Sequence, residues 1–321
     1  MPASLTARDI EVLQKTFDYG IVTTNQIACV LTAPKRSMRR CMARLFQQGL
    51  LKRTDMLSFH GGSPTPAYTL SKDAVHFLAQ HYADDRYFKH LTKMPGKQFV
   101  PHSVAVSDTH IIIDQAIASQ NRVTLDAWWH EQQNISSIES TYKTIGMDFG
   151  IPAATKGRIT CFPDFVCQMS LGTQSCLFLG EEDRDSYWAK KFCARKEPGY
   201  KRLLATKYHR IHFDQILATV PELFRIMVVT PTPARRDAIR RAAATMFKND
   251  PPVFRSLWRF ASKTGPDAMT ADSCLHGKIW YTMDEAEAQP LITIPTVGVT
   301  GSPGHRGHLD GHLETAHVNA N

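Results

Sequence analysis

Cys176-Leu177-Phe178-Leu179-Gly180-Glu181-Glu182-Asp183 is an apolar run that ends abruptly in three carboxylates, and Pro163-Asp164 opens another apolar run a short way upstream. The two runs flank Leu171-Gly172 and read as neighbouring strands of a hairpin. Asp164 and the Glu181 to Asp183 cluster therefore come to adjacent strand ends. Oxygen ligands in that arrangement suit Mg2+ or Mn2+. Beside a phosphate such an ion lowers the pKa of a bound water and neutralises charge at phosphorus. Asp164 and Glu181 are the leading pair, and Asp183 is a third carboxylate able to join them. Lys196 or Lys201, on the segment that follows, can supply a positive charge. The doubled Glu181-Glu182 leaves the register open by one residue.

Working outward, residues 102 to 119 read as a helix with Val104, Val106, Ile111, Ile112 and Ile117 as apolar positions. His102 and Asp108, near its start, can add to the acidic site. Residues 123 to 129 read as a strand, followed by a polar stretch to 157. Residues 158 to 170 and 173 to 180 form the hairpin. A charged helix runs from 186 to about 207, and Pro198-Gly199 predicts a break or kink in it. Residues 224 to 230, Phe-Arg-Ile-Met-Val-Val-Thr, suit a buried strand. Residues 233 to 247 make a basic helix with Arg235, Arg236, Arg240 and Arg241. Residues 253 to 290, with Trp258, Phe260, Ile279, Trp280 and Tyr281, add a strand and a helix. The order is α/β and matches the mixed-sheet core of restriction-endonuclease-like, PD-(D/E)xK folds. Many nucleases of that type carry a lysine two residues after the second carboxylate. Here that position is Asp183, so the motif reads E-x-D.

Upstream, Ser4 to Thr6 caps a first helix with Ile10, Leu13 and Phe17 on its apolar stripe, and Thr23-Thr24 caps a shorter second one. A third helix begins at Thr32-Ala33-Pro34, with Pro34 in its first turn. Met38, Cys41, Met42, Leu45 and Phe46 share one face of it, and Arg36, Arg40 and Gln47 point the other way. Between residues 33 and 53 the chain carries Lys35, Arg36, Arg39, Arg40, Arg44, Lys52 and Arg53 with no carboxylate. Arginine on such a face reaches phosphates and guanine edges in a major groove. Gly49 ends the helix, a strand starts at 50 to 53, residues 59 to 64 turn, and residues 67 to 70 return. Together these elements resemble a winged helix-turn-helix. A further helix capped at Ser71 closes this unit. The domains are thus 1 to 83, a linker at 84 to 101 marked by Pro95-Gly96 and Pro101, 102 to 290, and a His- and Gly-rich tail at 291 to 321 expected to be mobile.

A length of 321 residues allows two domains, and the net charge of +8 favours a polyanionic partner. The seven cysteines show no C-x-x-C and read as buried thiols in a reducing compartment. Without a signal-peptide core or a long apolar window, the expectation is a soluble cytoplasmic protein. The G-x-x-x-x-G-K-[ST] loop of nucleotide hydrolases is missing. His209 and His212 lack the spacing of a His-hydrophobe-His metal triplet. Tyr187, Tyr200 and Tyr208 read as core or surface residues before nucleophiles.

The winged-helix segment with Arg44-Leu45-Phe46-Gln47-Gln48-Gly49-Leu50-Leu51-Lys52-Arg53, the Pro163-Asp164 pair, Phe178 to Arg184, Lys196 with Tyr200, and the strand from Phe224 to Pro231 resemble the replication-relaxation family of plasmids and integrative elements. That family is related to the C-class mobilisation relaxases. The resemblance implies origin binding through the winged helix and metal-dependent nicking or relaxation. It makes Asp164, Glu181 and Asp183 the acidic set and Lys196 the basic partner. It also implies double-stranded DNA and other relaxosome or replication proteins as partners, with a homodimer on inverted half-sites compatible with the fold. The alternative is a non-catalytic replication, mobilisation or transcription accessory factor that binds DNA and keeps the nuclease-like domain as a scaffold.

Overall fold

The structure is a computed structural model and describes residues 4–56, 64–90, 92, 94–130, 133, 144–152, 158–214 and 216–292. It opens with α1 (Ala7–Tyr19), where Thr6 and Asp9 exchange hydrogen bonds in a capping box. β1 (Val22–Thr23) leads into α2 (Thr24–Val30), capped the same way by Thr23 and Gln26. Met38, Cys41, Met42 and Leu45 form the buried stripe of α3 (Lys35–Gln47). Pro34 stands at the N-cap rather than in the first turn, and Phe46, expected on the buried face, is exposed. One residue beyond Leu45, its side chain is rotated about 100° off the stripe.

β2 (Leu51–Met56) and β3 (Thr65–Leu70) pair antiparallel from Leu51↔Leu70 to Met56↔Thr65, and β1 adds to the far edge of β3. Most of the turn expected at 59 to 64 lies outside the described residues. α4 (Lys72–Tyr82), capped by Ser71, packs back on α1.

Within the expected linker a 3-10 turn covers Asp85–Lys89, and α5 (Val100–Ala118) starts two residues before His102. This helix is apolar around most of its circumference because both sides are covered. Ile111 joins the core of the N-terminal helices, whereas Val106, Ile113 and Ala116 join the core beneath the large sheet. Tyr19 donates its hydroxyl to Asp114 at 2.8 Å, and Gln26 donates to Asp108 at 2.6 Å. Asp108 thus faces the N-terminal helices.

The large sheet has five strands in the order β10-β9-β8-β7-β4. They are β4 (Val123–His130), β7 (Phe165–Leu171), β8 (Gln174–Glu182), β9 (Phe224–Thr230) and β10 (Trp258–Ser262). β7 is antiparallel to both β4 and β8, whereas β8, β9 and β10 run parallel. The parallel pairs require crossovers. α6 (Ala189–Thr206) and α7 (Tyr208–Phe213) make the first, and α8 (Pro233–Met246) and α9 (Pro252–Arg255) make the second.

Three expectations change. The single strand expected over 158 to 170 is two. β6 (Arg158–Cys161) pairs with β5 (Met147–Pro152) in a separate ribbon, and the chain enters β7 only after Phe162-Pro163-Asp164. Pro163 has no N–H for a ladder, so the strand cannot continue through it. β5 itself falls in the stretch read only as polar, because Gly150 and Pro152 mask its alternation. Finally, α6 runs through Pro198 without ending. Phe192, Cys193, Tyr200 and Leu203 are buried along it, and a Cβ at Gly199 would sit 2.2 Å from the Thr160 carbonyl oxygen. The glycine lets the helix lie against β6, and that packing outweighs the one hydrogen bond proline removes. The tail's histidines lie outside the described residues.

Candidate active site

Strand alternation sorts the acidic cluster before any contact is considered. Leu177, Leu179 and Glu181 face α6, whereas Phe178 and Glu182 face α5. Asp164 sits where the chain enters β7, and its backbone N–H donates to the Gly180 carbonyl at 2.8 Å. Its Oδ2 accepts from the Glu182 N–H at 2.8 Å, and its Oδ1 meets His102 Nε2 at 3.2 Å. A Cβ on Gly180 would lie 2.0 Å from the Phe165 ring, so a side chain there would push β7 and β8 apart just where the two carboxylates meet.

Glu181 is fully buried. Tyr200 donates its hydroxyl to Glu181 Oε1 at 2.6 Å, and Lys196 Nζ contacts Oε2 as an ion pair. That Oε2 receives no well-directed hydrogen bond among the described residues. The Lys196 ammonium also donates to the Phe162 carbonyl at 2.9 Å. Tyr200 and Lys196 are one helical turn apart on α6, so a single rigid element presents both to the strand end.

The electrostatics follow from this packing. Burial pushes the Glu181 carboxyl up to about 7, and the nearby Asp164 charge adds to the rise while Lys196 and Tyr200 oppose it. Burial works the same way on Asp164, but Lys196, His102 and the Glu182 N–H outweigh it and hold that carboxyl below its ordinary value. Desolvation alone would lower Lys196; Glu181 and Asp164 instead carry it up to about 12. The pair of carboxylates is split, Asp164 firmly ionised and Glu181 poised near neutrality.

Asp183, the third member of the acidic set, points elsewhere. Arg235 of α8 grips it with Nε to Oδ2 at 2.7 Å and Nη2 to Oδ1 at 2.9 Å. The same guanidinium donates to the Tyr187 carbonyl at 2.6 Å and pairs with Asp185 at 3.0 Å. Glu182 is held on the opposite face by Thr109 at 2.7 Å and Lys263 at 2.8 Å. Of the two lysines considered from sequence, Lys196 enters the site, and Lys201 pairs with Glu197 and Asp250. Of the three tyrosines considered from sequence, Tyr200 bonds a carboxylate of the site. Arg235, Thr109, Lys263 and the Phe162 carbonyl carried no local signal, since each meets its partner across a long stretch of chain.

The two carboxylates suit a hard divalent cation. Asp164 supplies a firmly ionised oxygen, and Glu181 a buried one whose Oε2 is paired with the Lys196 ammonium. Among the described residues no three His, Cys, Asp or Glu side chains cluster to hold a metal. All seven cysteines are unpaired.

On the expected DNA face, Lys35, Arg36, Arg39, Arg40 and Gln47 are exposed along α3. The other three basic residues have partners within the chain. Arg44 pairs with Asp9, Lys52 donates to the Thr92 carbonyl at 2.5 Å, and Arg53 pairs with Asp55 at 2.8 Å.

The replication-relaxation family model matches residues 16–215, more than half of the chain. The chain belongs to the replication-relaxation family. The match takes in the exposed face of α3 and the whole Asp164, Glu181, Lys196 and Tyr200 cluster, and it ends before Arg235 and Lys263. No curated protein and no solved structure matches the chain. Among the described residues, no helix of this replication-relaxation protein is long and apolar enough to cross a membrane.

Proposed function

We propose that this protein processes the DNA of a mobile element, binding duplex origin DNA and cutting one strand in a metal-dependent reaction. In this reading the helices and hairpin of residues 1–83 act as a winged helix, with α3 in the major groove and Lys35, Arg36, Arg39, Arg40 and Gln47 toward the DNA. Residues 102–290 act as a restriction-endonuclease-like domain, and residues 84–101 join the two. The sheet order and the α5, β4, β7, β8, α6, β9 sequence of elements support that assignment.

One observation carries the enzymatic part: Asp164, Glu181 and Lys196 converge at the ends of two paired strands although they are spread along the sequence. Asp164 and Glu181 would hold Mg2+ or Mn2+, which when bound would activate a water and screen charge at the phosphorus. Lys196 takes the place of the lysine that the E-x-D motif lacks, held beside the carboxylates to favour an anionic phosphate. Tyr200 fixes the Glu181 carboxylate, and His102 fixes that of Asp164. Asp183 has no part in ligation in this reading, because Arg235 already neutralises it.

The same engagement of Asp183 favours a second reading, a DNA-binding accessory factor on a nuclease-like scaffold. The test is supercoiled plasmid bearing the element's origin, incubated with the protein and Mg2+, Mn2+ or chelator. Metal-dependent conversion to open circle supports the nickase. Origin binding without conversion in any metal selects the accessory factor.

A further inference from the structure

Trp188 is 87% exposed, more open than any other large apolar side chain among the described residues. It sits at the N-cap of α6, and its indole makes no ring contact or hydrogen bond within the described chain. Tyr187 beside it is 41% exposed, with Lys191 Nζ at 4.9 Å and the Arg195 guanidinium at 4.7 Å from its ring centre. Residues 189–196 carry Lys190, Lys191, Arg195 and Lys196 and no carboxylate.

The segment is held in place. Arg235 ties down its start through Asp183 and Asp185 and its end through the Tyr187 carbonyl. Here the E-x-D aspartate has a role other than ligation, because both its carboxylate oxygens accept from Arg235. It anchors the guanidinium that fixes the turn.

An aromatic surface held open to water next to lysine and arginine has the make-up of a stacking site for bases, with the cations meeting phosphates. Paired bases hide their faces inside the duplex, so the fitting occupant is an unpaired base. The location agrees. Lys196 lies on the same helix about 12 Å from Trp188 along its axis, within a few nucleotides of the carboxylate pair. We infer that Tyr187 and Trp188, with Lys191 and Arg195, form a stacking site for an unpaired DNA base beside the Asp164–Glu181 centre. This rests on reading that centre as DNA-processing. The protein would thereby act where a strand is open or a base is unstacked.

The test measures binding of a short labelled oligothymidylate and of a matched duplex by the full chain, in chelator so that nothing is cut. Trp188→Ala should weaken oligothymidylate binding roughly tenfold or more and leave the duplex unaffected, with Trp188→Phe retaining most of the affinity. Lys191→Ala combined with Arg195→Ala should flatten the salt dependence for the single strand. The inference is overturned if the protein does not bind oligothymidylate, or if Trp188→Ala binds it as tightly as the parent. It is also overturned if the dependence on Trp188 appears on phosphatidylserine vesicles and not on the oligonucleotide. Because the binding assay needs no cleavage, stacking without plasmid nicking would sink the nickase alone. Nicking with unchanged binding by Trp188→Ala would sink the stacking site alone.

Discussion

Arg235→Ala should be among the most damaging single substitutions in the sheet domain. The Arg235 and Asp183 side chains are 7% and 3% exposed, and the two hydrogen bonds between them are parallel and charge-assisted. Among the described residues, truncating the arginine leaves the buried carboxylate with the Asp185 N–H, 3.0 Å away, as its remaining donor. Removing one partner of a buried pair costs about 3–5 kcal/mol. Asp183→Asn is milder, about 1–3 kcal/mol, because the guanidinium keeps Asp185 and the Tyr187 carbonyl. Since both single changes destroy the same interaction, the double variant should fall short of their sum by at least about 1 kcal/mol. Urea unfolding at neutral pH, with matched slopes, supplies the numbers. A loss below about 1 kcal/mol for Arg235→Ala, or additivity within about 0.5 kcal/mol, would refute the assignment of Asp183 as a strut.

Tyr200→Phe removes the 2.6 Å bond to Glu181 and should cost about 1–3 kcal/mol in the same unfolding assay. It should also raise the Glu181 pKa further, moving the acid limb of metal-dependent activity to higher pH. Because burial raises Glu181 from its ordinary 4.5 to about 7, its contribution to stability is complete below pH 4.5 and is lost as pH rises through 7. Glu181→Gln should erase that slope, which unfolding midpoints across the window will reveal, and Mn2+ affinity of the parent should climb over the same interval as the carboxylate ionises. Arg36→Ala with Arg40→Ala, both exposed on α3, should leave the circular dichroism unchanged. Fluorescence anisotropy across a salt series should show the duplex-binding slope becoming shallower by about 0.9 for each phosphate that the variant no longer neutralises.

Much of this architecture was legible because local signals agreed with the final packing. The Thr6–Asp9 and Thr23–Gln26 boxes, the stripe of Met38, Cys41, Met42 and Leu45, and the uninterrupted run of β9 each announce an element without outside help. Signals failed where tertiary packing overrode local preference. Pro198-Gly199 reads as a break or kink, yet the helix continues, and Gly199 is what allows α6 to lie on Thr160 and bring Lys196 and Tyr200 to Glu181. Pro163, in contrast, divides one apparent strand into two sheets. At the site, alternation along β8 could separate Glu181 from Glu182. Nothing local could show that Asp183 belongs to Arg235, because that pair is made across the sheet by a crossover helix.

The central claim is that Asp164 and Glu181, and not Asp183, form the metal-dependent cutting centre. Its most direct test compares Asp164→Ala with Glu181→Ala, combined in one variant, against Asp183→Asn in the plasmid nicking assay with Mn2+. Loss of open-circle product in the first with duplex binding intact, and retained nicking in the second, is the predicted result. Nicking that survives the double change, or that disappears only with Asp183→Asn in a protein that remains folded, would contradict it.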